Sequence, residues 1–218
     1  VRKYMAQVYA CASLGILIFI LAVYVDMEFF NAEAAEDRTK NTKIIFSCIT
    51  FLISFFCSLL IPPEHVRVKV VFYVLTFGSF GFMFSPFLAA VIREHQEIFL
   101  AAATTTFLFL ALLTPIAFYA KKTTILFLNS LLLGLCLVAM VFILLWSFSG
   151  KDSIPILLLC LFLAIDLISV VTRTAAVLND KKEGKEDLVK HSVLIGISAV
   201  ELFITLLRIF ISQKLQGK

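Results

Sequence analysis

Seven long apolar runs, each close to the roughly 20 residues a helix needs to cross a bilayer, fill this chain at about 4–25, 44–61, 68–92, 98–120, 124–148, 153–178 and 188–211. A helix that is apolar on every side must be buried in lipid or in protein, so segments of this kind do not assemble a water-facing domain. The expectation is an all-α integral membrane protein: a seven-transmembrane-helix bundle forming a single membrane domain over residues 1–218. The 61% hydrophobic content and 16% charged content fit that class. The net charge of +4 comes from 19 Lys and Arg against 15 Asp and Glu scattered through the gaps between runs, not from one basic face. Nucleic acid is therefore excluded as a partner, and the lipid bilayer is the first one.

The breaks are marked by charge and by proline. They are the acidic stretch 26–37, Pro62-Pro63-Glu64-His65, Arg93 to Glu97, Lys121-Lys122, Ser149 to Asp152, and Asn179 to Lys190. The first run is too long for a signal peptide and shows no small-residue cleavage site before Asp26, so it reads as a retained span. With the N-terminus in the cytosol, the inner segments hold Arg2, Lys3, Arg67, Lys69, Lys121, Lys122, Arg173, Lys181, Lys182, Lys185 and Lys190. That excess of positive charge favours this orientation. Cys11, Cys48, Cys57, Cys136 and Cys160 lie inside apolar runs without CxxC spacing and read as reduced packing residues. Gly78, Gly81 and Pro86 in the third run, and Pro115 in the fourth, predict bent helices or close helix packing.

Ionisable groups inside the hydrocarbon are costly and mark functional sites by default. The sixth run places Asp166 seven residues before Arg173, and the seventh places Glu201 seven residues before Arg208. A spacing of seven puts each pair on one helix face, two turns apart. At about 1.5 Å per residue, Asp166 and Glu201 both lie roughly 18–20 Å from the cytoplasmic ends of their helices. If the faces meet, the two carboxylates can share one proton, sense pH and hold a cation. If they do not, each carboxylate neutralises an arginine and fixes helix register. His191 opens the last helix and reads as a solvated helix-end histidine, with a proton relay as the alternative. Thr104 to Thr106, Asn129 and Ser130 read as groups that bond across helices.

No enzyme class fits. Serine proteolysis in the membrane needs a buried histidine, and none of the three histidines lies mid-helix. HExxH and Gly-rich phosphate loops are missing, and Lys190 sits too near a helix edge for a retinal Schiff base. No cofactor is expected.

The whole chain resembles the transmembrane Bax inhibitor motif family, and within it the Bax inhibitor-1 branch. The resemblance rests on Val8-Tyr9-Ala10, Ala22-Val23-Tyr24-Val25, Gly78-Ser79-Phe80-Gly81 with Ser85-Pro86, and Phe118-Tyr119-Ala120-Lys121-Lys122. It continues through Leu126-Phe127-Leu128, then Gly184, Asp187 and His191, and Leu202-Phe203-Ile204-Thr205. It implies a negative regulator of apoptosis and endoplasmic-reticulum stress, located in that membrane and contacting other membrane proteins of cell-death or stress pathways. It also implies a pH-sensitive calcium leak, calcium being the permeant ion, gated in the family by two aspartates in the last two long helices. On an ungapped match those aspartate positions are Arg173 and Ser198, so both carboxylates are missing from their usual places. Either the pair has moved deeper, to Asp166 and Glu201, or the path is closed. In the second case the protein is a non-conducting scaffold acting only through protein partners. A small-solute transporter is the weaker third reading, since the sequence shows no internal pseudo-symmetry.

Overall fold

The computed structural model describes residues 2–30, 37–120, 122–148 and 156–216. Within them the chain is helical almost throughout. The elements are α1 (Arg2–Val25), α2 (Asp37–Leu60), α3 (Val66–Glu94), α4 (Gln96–Tyr119), α5 (Lys122–Phe148), α6 (Ile156–Lys182) and α7 (Leu188–Gln216). A π-helical turn, Asp26–Phe30, continues α1. Seven segments are long and apolar enough to cross a membrane, as the seven apolar runs predict, with ends moved by a few residues. The Ser149 to Asp152 break, residues 31–36 of the acidic stretch, and Lys121 lie outside the described residues.

The acidic stretch does not begin as a loop. Asp26, counted in the sequence as the start of the first break, stays helical and is fully buried. Its charge is met by the Lys43 ammonium, in the second turn of α2, which is how a carboxylate tolerates that depth. Both internal prolines, Pro86 and Pro115, are carried inside continuous helices.

The chain divides into two compact units. The first contains Val1–Gln96 and Lys181–Ile197. Its centre is Phe77, fully buried and seated on two glycines. A Cβ on Gly15 would collide with the Phe77 ring, and one on Gly196 would lie 2.6 Å from its Cζ. Gly81 does the same for α3 against α1, where a Cβ would lie 2.6 Å from the Phe19 carbonyl oxygen. Without a hydrophobic drive between helices in lipid, close backbone approach of this kind is what holds them together.

The second unit contains Glu97–Asp180 and Ser198–Lys218. Ala117, Ile125, Val171 and Ala175 form a small apolar cluster joining α4, α5 and α6. Phe99 on α4 meets Phe203 on α7 edge to face at 5.3 Å, and Lys214 pairs with Glu97 at 2.5 Å. In the most apolar window of α5 only 11% of residues are buried, against 61% in α7, so α5 is a lipid-facing helix and α7 an interior one. The five cysteines are free. Cys136 and Cys160 are exposed, so those two face lipid and do not pack as the sequence predicts.

Candidate functional site: a polar seam on α6 and α7

On α7, Ser198, Glu201, Thr205 and Arg208 recur at spacings of three, four and three, the repeat of one helix face. On α6, Asp166 and Arg173 share a face by the same rule. The two faces meet within the second unit. Thr205 Oγ1 donates to Asp166 Oδ2 at 2.6 Å, the length of a charge-assisted hydrogen bond. Arg173 Nη1 donates to Ser198 Oγ at 2.6 Å and lies 3.8 Å from Glu201 Oε2. At 3.8 Å the Arg173–Glu201 contact is an ion pair and not a hydrogen bond. The Arg173 and Glu201 side chains keep 30% and 42% exposure, so their pair is loose and partly open. Asp166 is close enough to interact electrostatically with both Glu201 and Arg173.

Four of the residues that the sequence singled out therefore share one seam. Asp166 and Glu201 are brought together, and Arg173 and Ser198, the positions at which the resemblance puts the family's aspartates, touch each other. Arg208 lies one turn further along the same face of α7 and is half-buried. His191 is a correction. It belongs to the first unit, is only 3% exposed, and hydrogen-bonds through Nδ1 to the Tyr4 hydroxyl at 2.8 Å. The physical reason is that α1 packs over the first turn of α7: Ser192 Oγ also donates to the Val8 carbonyl at 3.2 Å. Water is thus replaced by protein around that ring.

Sequence reasoning did not assign Thr205 a role, although its place four residues beyond Glu201 was the available signal. It also missed Asp187, which accepts from Lys69, a lysine left 1% exposed. Asp187 additionally takes the backbone N–H of Lys190 at 3.1 Å, capping α7.

The seam offers two carboxylates and a few hydroxyls. A resident calcium takes six to eight oxygens, and among the described residues no group of three or more His, Cys, Asp or Glu is gathered. Compared with known proteins, the chain matches the family described as inhibitor of apoptosis-promoting Bax1 over residues 1–214. That match does not separate the Bax inhibitor-1 branch from the rest. No curated protein and no solved structure matches.

Proposed function

This chain belongs to the Bax inhibitor family, and on that premise we propose that it is a non-enzymatic regulator that restrains cell death and endoplasmic-reticulum stress. It works from the endoplasmic-reticulum membrane with its N-terminus in the cytosol. Its activity is a pH-sensitive calcium leak along the α6–α7 seam, with Asp166 and Glu201 as the groups that meet the ion or proton. Arg173 is the latch on that path. The observation that carries this reading is the one set of contacts in which Arg173 reaches Ser198 and Glu201 at once. That a single side chain on α6 reaches two groups on α7 supports the reading of a latch that closes a path and releases it by moving.

The second reading is a non-conducting scaffold that acts through membrane-protein partners. It draws on charge balance: a permanent cation at 173 repels calcium, and Arg173 and Arg208 match the two carboxylates of the seam in number.

Calcium flux from protein in calcium-loaded liposomes, followed between about pH 6 and 8, separates the two. Leak that Asp166→Asn with Glu201→Gln abolishes or makes insensitive to pH supports conduction through the seam. A wild type silent at every pH, with Arg173→Ala equally silent, leaves the scaffold.

A further inference from the structure

A cavity of about 540 Å³ lies in the first unit, lined by α1, α2 and α3, and no part of the reading above uses it. Ile18, Val74, Leu75 and Phe82 supply apolar walls. Gly78 supplies the floor: a Cβ built there would meet nothing within 4 Å. Two of the wall residues, Val74 and Leu75, are 44% and 43% exposed on a spanning helix, and Phe46 beside them is 71% exposed. The trough therefore opens toward hydrocarbon and not toward water.

One wall is polar in a graded way. Lys43, Ser47 and Thr50 follow one another at spacings of four and three along one face of α2 and all line the cavity. Lys43, with its Asp26 partner, stands at the start of the spanning segment Thr42–Leu60. At about 1.5 Å per residue, Ser47 lies roughly 6 Å and Thr50 roughly 10 Å deeper.

Those hydroxyls differ from the others around them. Ser54, Ser58, Thr76 and Ser79 each bond back to a carbonyl of the preceding helical turn. Ser47 is 7% exposed and faces the cavity, yet among the described residues neither it nor Thr50 has a protein hydrogen-bond partner. A hydroxyl that opens into an apolar trough facing hydrocarbon without a partner is costly, so an occupant with oxygen acceptors belongs there.

We propose that this trough binds one acyl chain of a bilayer phospholipid, with Ser47 and Thr50 donating to its ester oxygens and the Lys43–Asp26 pair marking the head-group level. A partner's spanning helix spends its backbone hydrogen bonds within itself, so it brings no free backbone acceptors to Ser47 and Thr50, whereas a phospholipid brings ester oxygens. An acyl chain is narrow enough to run the length of the trough. The Lys43–Asp26 pair has no net charge, so the site selects ester acceptors and chain shape and does not select anionic head groups.

The test uses the full chain in phosphatidylcholine nanodiscs containing phosphatidylcholine with a photoactivatable diazirine on one acyl chain. After irradiation, adducts are mapped by mass spectrometry. Adducts at Ile18 and Phe82 should exceed those at Leu133 and Leu137, which face bulk lipid on α5. Gly78→Leu projects a side chain into the trough, from a Cβ that meets nothing within 4 Å, and should cut the Ile18 and Phe82 adducts at least fivefold, leaving the α5 adducts unchanged. Ser47→Ala should cut them by about two- to threefold. Should Gly78→Leu not accumulate, Leu75→Trp narrows the same trough from its rim and is held to the same fivefold criterion. Equal labelling of trough and α5, labelling that neither blocking variant lowers, or a photoactivatable residue at position 75 that captures a protein chain and no phospholipid would each overturn the assignment.

Discussion

In the first unit the middles of the helices are sealed by glycine against aromatic ring or carbonyl, at Gly15, Gly196 and Gly81. Its buried charges, Asp26 with Lys43 and Lys69 with Asp187, are kept to helix ends. In the second unit the middles of α6 and α7 carry Asp166, Arg173 and Glu201, joined by one loose ion pair and two hydrogen bonds. The same membrane physics is met in two ways. Close backbone approach at those three glycines leaves no room for an ion between the helices that meet there. The seam of the second unit is joined by side chains instead, and on the proposed reading it is where a path opens and shuts.

That contrast is broken or sharpened by substitution. The largest effect is expected from Asp187→Ala, which strands the Lys69 ammonium at 1% exposure. Removing one partner of a buried pair costs about 3–5 kcal/mol, read as a fall in the unfolding midpoint in detergent. Replacing Lys69 by Met in the same chain should recover most of it. A loss under about 1 kcal/mol would mean that the pair is wetted and the first unit is not sealed there.

Next comes a matched pair of glycines. Gly81→Ala pushes a methyl against the Phe19 carbonyl and Ala22 and should cost about 1–3 kcal/mol, as overpacking does. Gly134→Ala on α5 meets nothing within 4 Å and should be neutral or stabilising by up to about 1 kcal/mol through helix propensity. Equal effects at the two sites would erase the distinction between the units.

Smaller still is the effect of Arg173→Ala on stability. Polar contacts between membrane helices are worth about 0.6 kcal/mol on average and at most about 1.7, and the Arg173–Glu201 contact is a loose one at 3.8 Å, so its loss should cost about 1 kcal/mol. On the proposed reading its larger effect is expected in flux and not in the unfolding midpoint.

Much of this architecture was legible in the sequence because hydropathy and length are local properties. Each span is announced by its own residues, whatever it packs against. The seam was legible for a related reason: Asp166 and Glu201 are isolated carboxylates in apolar runs, and their equal depth follows from counting residues. What could not be read was pairing across the chain. Lys69 and Asp187 are 118 positions apart, and Tyr4 and His191 are 187 apart. Nothing in the local pattern around His191 tells that α1 will cover it, so a helix-end histidine reads as solvated. Asp26 misleads similarly, since an acidic residue after an apolar run looks like a loop until Lys43 is placed beside it. Gly78 and Gly81 share a sequence pattern yet have opposite surroundings, one open to a cavity and one pressed on a carbonyl. Only packing distinguishes them.

The central claim is that Arg173 latches a path along the α6–α7 seam. Its most direct test is calcium efflux from liposomes carrying Arg173→Ala beside liposomes carrying the wild type at equal protein density. The account predicts at least a tenfold faster leak in the variant, removed again by adding Asp166→Asn and Glu201→Gln. Identical efflux from variant and wild type, with the variant folded, would contradict it and leave the seam a structural joint.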